Sequence, residues 1–559
     1  TPIQKIETVA PSQGRTLESY EAVAKEAMVV TPNAQASQIG LEVLQKGGNA
    51  ADAAIAISFA LSVLRPQSTG LGGGGFLLFY DKNINNTIAI DFREFAPSAA
   101  SRDMFLKNGV PQSEWSRDGA LSVAVPRLVA GLGFIYERYA SRRIPWRDLV
   151  LPSAQLAVDG FPVYPALAKA IEERKELLSR FPSSKKIFLK GDAPLREGDL
   201  LIQRDLAVTL KLIAGGWQNF YIGAIPSKIV ASVRSNGGIL RYEDFRNVSP
   251  TELKPVEGTY RGYKIVSMPP PSSGGTILIE ILNILENFPL EKQGPVHLKT
   301  IHVVTEAMKR AFIDRAKYMG DPRFVKVPVR GLTSKEYAKS LAESINRERA
   351  TPSIDLDSSL AVSLPESNST THFSLVDAEG NAVASTQTIN YYFGSGLTAE
   401  GTGVVLNDEM DDFSIAPGVP NVFGLVGGEA NAIAPGKIPL SSMSPTLVFD
   451  EEGELNMVLG SPGGPKIITA VLNTLINRID FEETPLRAVA AKRYHHQWLP
   501  DQLLTEPGLL PDNVKKELLK MGHRIEEGES SWLVMLVART KKGWIGVTDP
   551  RGVGVPMGY

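Results

Sequence analysis

Cysteine is absent from all 559 residues. The chain therefore has no disulfide, no thiolate metal site and no cysteine nucleophile. Histidine is scarce: His297, His302, His372, His495, His496 and His523 are the whole set. None stands in a His-Glu-x-x-His spacing, which favours satisfied or exposed side chains over metal ligands. An excess of either charge is missing too. Lys and Arg total 59 against 61 Asp and Glu, so nothing marks a nucleic-acid partner or an anionic membrane. The apolar run from Ala50 to Leu64 contains Asp52 and is too short to span a bilayer. The opening residues "TPIQKIETVAPSQGRTLESY" hold no apolar signal-peptide core, which leaves open a leader ahead of Thr1.

What is present is a large globular chain, 43% hydrophobic and 21% charged, with length for a sizeable core. Ile39, Val43 and Leu44 are at helical spacing, and Gly47-Gly48 end that helix. Asn49 is placed to cap the next helix, Ala50 to Leu64, which Pro66 stops. "FLLFY" and "TIAIDF" read as strands around an Asn-rich turn. Residues 120 to 350 read as mostly helical, with Ile301, Val304, Met308, Ala311 and Phe312 on one helix face. After about residue 355, "HFSLVDAEGNAVASTQTI", "SPTLVFDEEGELNMVLGS" and "SWLVMLVART…WIGVTDP" read as three hairpins. Helices first and hairpins last predict helices covering sheets in one interleaved domain.

Several stretches carry chemistry-bearing residues, and each has a plain structural reading beside it. "STGLGGGGFLLFY" lacks the lysine of a phosphate loop and is followed by a strand, so a close-packed turn is favoured. "SPGGP" (461–465) offers backbone N–H groups to an oxyanion, or is a simple strand-to-helix turn. "PLSSMSP" (439–445) is a serine loop, and "NDEMDDFS" (407–414) is an acidic cluster suited to an amine, a metal or solvent. "DFRE" places Arg93 at a strand end, where a guanidinium forms a surface ion pair or grips a carboxylate. "PESNSTTHFS" holds Thr370 and Thr371 at the threshold of a hairpin, beside the glycosylation sequon Asn368-Ser369-Thr370.

Together, "GGNAADAAIA", "TGLGGGGF", "DFRE", "NSTTHFSLVD", "QTIN", "NDEMDDFS", "PLSSMSPTLV", "GSPGG" and "TDPR" resemble, in order, the γ-glutamyltransferases (γ-glutamyl transpeptidases) of the N-terminal nucleophile hydrolase superfamily, bacterial type. The resemblance implies a four-layer αββα sandwich. It implies self-cleavage between Ser369 and Thr370, giving a large piece, 1–369, and a small piece, 370–559, with no glycan at Asn368. Thr370 becomes the nucleophile. Its new α-amine, with a pKa near ~8, can act as its base. By the same resemblance, Thr388 holds Thr370, and Gly463 and Gly464 form the oxyanion hole. Arg93, Ser441 and Ser442 take the substrate α-carboxylate, and Asn390, Glu409 and Asp412 take its α-ammonium. Residues 417–431 form a lid in which Phe423 stands where several relatives have tyrosine. The implied substrates are glutathione and other γ-glutamyl compounds, with water, amino acids or dipeptides as acceptors. No metal or organic cofactor is implied, and the implied location is periplasmic or secreted.

Two alternatives accompany this reading. A glutaryl-type (cephalosporin) acylase would leave the ammonium pocket without a purpose. A catalytically inactive binding relative would have lost Thr370, Arg93 or the glycine pair, and all are present.

Overall fold

The computed structural model describes residues 6–246, 248–357, 369–417, 428–528 and 532–559. Helix Ala34–Gln45 starts where the Asn33 side chain accepts the N–H groups of Gln35 and Ala36. Helix Ala50–Leu64 opens on a capping box in which Asn49 and Asp52 satisfy each other's backbone N–H. Every residue of that helix is buried, as its almost unbroken apolar sequence requires.

Two seven-stranded sheets form the centre. One runs Thr251–Leu253, Asn86–Asp91, Gly74–Asp81, Ala382–Thr388, Thr371–Val376, Met28–Thr31, Val555–Gly558. The other runs Glu21–Ala24, Gly543–Thr548, Met535–Thr540, Leu455–Gly460, Thr446–Phe449, Tyr263–Ser267, Val256–Tyr260. Neighbours in both sheets are antiparallel. Met28, Val30, Phe76, Leu78, Val458 and Val537 fill the space between the sheets. On the outer face of the first sheet, Leu77, Phe79, Phe373 and Leu375 pack against helices Ala34–Gln45 and Ala50–Leu64. On the outer face of the second, Ile265, Val448, Leu459 and Leu536 pack against helices Gly274–Leu285, Leu298–Tyr318 and Lys466–Ile479. The result is the αββα sandwich expected of an N-terminal nucleophile hydrolase.

Each sheet combines strands from before residue 369 with strands from after residue 370. Thr371–Val376 pairs with Met28–Thr31 on one side and Ala382–Thr388 on the other. The middle region is less purely helical than its sequence suggests: Thr251–Leu253 joins one sheet, and Val256–Tyr260 and Tyr263–Ser267 join the other. Gly258 weakens the strand signature of its segment, but a Cβ there would come within 2.5 Å of Ile279 on the covering helix. The glycine is required by close helix-on-sheet packing.

The glycine run is the close-packed turn that its sequence favours. A Cβ would lie 2.1 Å from the Val405 carbonyl oxygen at Gly72, 2.1 Å from that of Thr388 at Gly73, and 2.4 Å from that of Phe92 at Gly74. These glycines let the strand carrying Thr388 and the segment carrying Arg93 approach each other across the sheet end.

Candidate active site

Thr370 stands immediately ahead of strand Thr371–Val376 and is buried between elements. Its φ is 148°, a conformation that β-branched residues rarely adopt. The Thr370 hydroxyl donates to Thr388 Oγ1 at 3.1 Å. Thr388 ends the adjacent strand, and its oxygen also accepts the Asn390 N–H at 2.8 Å. Asn390 has φ 75°, which asparagine tolerates, and its side-chain amide donates to the Asp408 carbonyl at 3.2 Å. The turn Glu409–Asp412 follows directly. On the other side of the peptide bond, Ser369 Oγ donates to the Gln67 carbonyl at 3.0 Å.

Arg93 lies two residues past strand Asn86–Asp91, and its N–H is held by Asp91 Oδ1 at 2.8 Å. Its guanidinium is buried and fully engaged. Nη1 meets Glu409 Oε1 at 2.5 Å, and Nη2 meets Asp412 Oδ2 at 2.5 Å. Nε and Nη2 also donate to the carbonyls of Pro439 and Leu440. The residues expected at the two ends of a zwitterion are thus paired with one another. Both signs of charge are assembled at one buried place, and each neutralises the other there.

Two further residues belong here and were not singled out from sequence. Glu94 is fully buried beside Glu409, and burial pushes its carboxyl well above the usual range. The neighbouring charge of Glu409 pushes it in the same direction. Burial likewise raises Glu409, to about 7, against the pull of Arg93. The absence of a side chain at Gly74 makes room for Glu94: a Cβ there would sit 2.7 Å from its carboxyl oxygen.

Arg315 is the second. Its Nη2 donates to Ser442 Oγ at 2.9 Å and its Nε to Ser273 Oγ at 2.9 Å. Its Nη1 is buried with no partner among the described residues. Burial draws its pKa down to about 10, with Asp412 opposing, so it stays charged at neutral pH. Because Ser442 accepts from Arg315, its own O–H is left to donate to another group. Ser441 Oγ accepts the Met443 N–H at 3.0 Å. The sequence did carry a signal for Arg315: it follows Phe312 by three positions and so continues the apolar stripe of its helix.

Gly463 and Gly464 occupy the turn between strand Leu455–Gly460 and helix Lys466–Ile479, with φ of 126° and 58°. Neither N–H donates to a protein group among the described residues. Pro462, next to them, lines one cavity together with Thr370. Phe423 and Asn368 fall outside the described residues. Among the histidines, His302 and His523 lie side by side near Glu306, all buried. Glu306 is already paired with Lys309 and Arg310, and His302 Nδ1 contacts His523 Nε2 at 2.7 Å. That is a satisfied polar network carrying two cations, an unfavourable setting for a metal ion.

The geometry brings together a threonine hydroxyl on strained backbone, a glycine turn whose N–H groups are free among the described residues, and a buried cluster of both charges. A family model described as gamma-glutamyltranspeptidase matches residues 36–559. The chain is 46% identical over 534 residues to the glutathione hydrolase proenzyme of Escherichia coli (strain K12), covering 95% of this chain and 91% of the relative. It is 38% identical over 519 residues to that of Bacillus subtilis (strain 168), covering 90% and 86%. Among solved structures, a cephalosporin acylase from Bacillus halodurans superposes with TM-score 0.84 at 26% identity, covering 100% of this chain and 99% of that one. A Helicobacter pylori gamma-glutamyltranspeptidase superposes with TM-score 0.55 at 40% identity, covering 63% of this chain and 95% of that one. On the match of almost the whole chain and on these relatives, the protein belongs to the gamma-glutamyltranspeptidase family.

Proposed function

We propose that this protein is a γ-glutamyltransferase that matures by cutting itself between Ser369 and Thr370. The single observation that carries the reading is Thr370 itself, a buried threonine on strained backbone with its hydroxyl fixed by Thr388. In maturation, Thr370 Oγ attacks the Ser369 carbonyl carbon, the C–N bond breaks as an ester forms, and water opens the ester. The strain at Thr370 is released when that bond is gone. The freed α-amine then serves as the base for the same hydroxyl.

In turnover, the γ-carbonyl of glutathione or a related γ-glutamyl compound accepts attack from Thr370 Oγ. The developing oxyanion takes hydrogen bonds from the N–H groups of Gly463 and Gly464. The α-carboxylate binds Arg93, Ser441 and Ser442, with Arg315 holding Ser442 in its donor orientation. The α-ammonium binds Glu409 and Asp412, positioned by Asn390. Water or an amino acid or dipeptide then takes the acyl group. The paired acids favour this reading over a glutaryl acylase, whose substrate brings no ammonium to replace Arg93 as their partner. No helix among the described residues is long and apolar enough to cross a membrane. A periplasmic or secreted location rests on the family likeness.

The test has two parts. Purified protein runs as two pieces on a denaturing gel, and Thr370→Ala remains one chain near 60.6 kDa. Glutathione yields glutamate alone and a γ-glutamyl dipeptide adduct when glycylglycine is present, while a glutaryl analogue is a poor donor. Turnover by an uncut wild-type chain would overturn the nucleophile assignment.

A further inference from the structure

Six arginines are buried among the described residues: Arg65, Arg93, Arg127, Arg310, Arg315 and Arg493. Arg93, Arg127, Arg310 and Arg493 are each ion-paired with an acid. Arg315 and Arg65 have no carboxylate within ion-pair distance among the described residues. A buried cation without an anion is costly, so both positions call for an anion that the described residues of the uncut chain do not supply. Arg315 is accounted for beside Ser442, in the buried charge cluster described above. Arg65 is elsewhere.

Arg65 ends helix Ala50–Leu64 and is held there by its N–H to the Leu61 carbonyl and by Pro66 after it. Its Nε donates to Thr371 Oγ1 at 3.2 Å and its Nη2 to Ser68 Oγ at 3.3 Å. Thr371 opens strand Thr371–Val376 on the face shared by Phe373 and Leu375, which pack against the helices. Arg65 therefore reaches the residue next to Thr370 from the helix side of the sheet. It lines a cavity of about 260 Å³ that Thr370 and Pro462 also line. That volume is slightly under the roughly 300–1,000 Å³ of drug-sized sites, which suits an amino acid or a dipeptide.

The same cavity wall carries a second unmet polar group. Gln67 Oε1 is buried with no hydrogen-bond partner among the described residues. The amide orientation is fixed, because Gln67 Nε2 donates to the Tyr164 hydroxyl at 2.7 Å and that hydroxyl donates to the Leu64 carbonyl at 3.1 Å. The oxygen is thus left to receive an N–H. A cation without an anion and an acceptor without a donor, both beside the nucleophile, are the complement of a small zwitterion.

Resting on the transferase reading above, we infer that this cavity is the acceptor subsite, with Arg65 binding the carboxylate of an acceptor amino acid or dipeptide and Gln67 Oε1 orienting its amine. The uncharged amine attacks the γ-glutamyl ester on Thr370. A C–N bond forms, the ester C–O bond breaks, and the amine's proton passes through the Thr370 α-amine to Oγ. The dipeptide released when glutathione is the donor leaves by the reverse contacts.

The experiment uses self-cleaved protein, γ-glutamyl-p-nitroanilide as donor, and glycylglycine or glycylglycinamide as acceptor. Wild-type protein should prefer glycylglycine, with a KM about tenfold or more below that of the amide. Arg65→Gln should raise the KM for glycylglycine by a similar factor and erase the preference, and Arg65→Lys should restore part of it. The ratio of transfer to hydrolysis should fall in Arg65→Gln at fixed glycylglycine. Equal use of both acceptors by the wild type overturns the assignment without needing any variant to fold. Equal losses in hydrolysis and transfer also overturn it, and make Arg65 a counter-ion for the Ser369 carboxylate freed on cleavage. No p-nitroaniline release from cut wild-type protein would instead sink the transferase reading itself.

Discussion

Arg93 is held by two carboxylates and two carbonyls at once, and this defines what a substitution does there. Arg93→Lys keeps the charge but loses the fork that spans Glu409 and Asp412. Losing one partner of a desolvated charge pair costs on the order of 2–5 kcal/mol. The KM for glutathione should therefore rise by roughly 30-fold or more, while self-cleavage, which needs no substrate carboxylate, survives. Steady-state kinetics beside a denaturing gel read both, and an unchanged KM in the cut variant removes Arg93 from the carboxylate site. His372 gives a second prediction at this scale. It faces the inter-sheet space, bonded to Thr386 and Ser374, and burial pulls its pKa to about 3 from 6.5. A depressed histidine is neutral when folded and charges on unfolding, so its stabilising effect is present above about 6.5 and is lost as pH falls towards 3. His372→Asn should be less stable than wild type at pH 7.5. That gap should shrink by up to about 1.4 kcal/mol per pH unit below 6.5. Denaturant melts of both proteins across that range check it, and a constant gap would refute the buried neutral assignment.

At the scale of elements, the glycine run shows that one sequence motif has unequal positions. Gly73 faces the Thr388 carbonyl, 2.1 Å from where a Cβ would be, whereas a Cβ at Gly70 meets nothing within 4 Å. Gly73→Ala should displace the strand end that holds Thr388. It should cost about 1–3 kcal/mol and slow cleavage before Thr370. Gly70→Ala should leave both nearly as they were. Thermal melts and a gel time course distinguish the two, and equal behaviour would mean that the run packs loosely.

Over the whole molecule, the cut proposed at Ser369–Thr370 divides the chain into two pieces that both contribute strands to each sheet. Thr371–Val376 and Ala382–Thr388 are flanked by Met28–Thr31 and Gly74–Asp81, and Val555–Gly558 pairs with Met28–Thr31. Separating the pieces would break these ladders and expose the inter-sheet core. Cut protein should therefore elute from a sizing column as a single species containing both pieces, which part only in denaturant. Two native peaks would contradict this.

The sequence alone determined the local elements. Caps, periodicity and turn residues placed helices Ala50–Leu64 and Lys466–Ile479 and the three late hairpins close to where they lie, because these signals depend on neighbours within a few positions. Motif order was enough to mark Thr370, Thr388, Arg93, Asn390, Glu409, Asp412, Ser441, Ser442, Gly463 and Gly464 as one candidate set. The tertiary structure alone decided which charges meet. Arg93 finds Glu409 across 316 positions, and Arg315 finds Ser442 across 127. The Glu94 carboxyl is pushed above its usual range by burial and by Glu409 beside it. Arg65 is left without an anion because none of the described acids reaches the end of its helix. Such pairings depend on burial and on separations set by the packing of four layers, and no spacing along the chain encodes them.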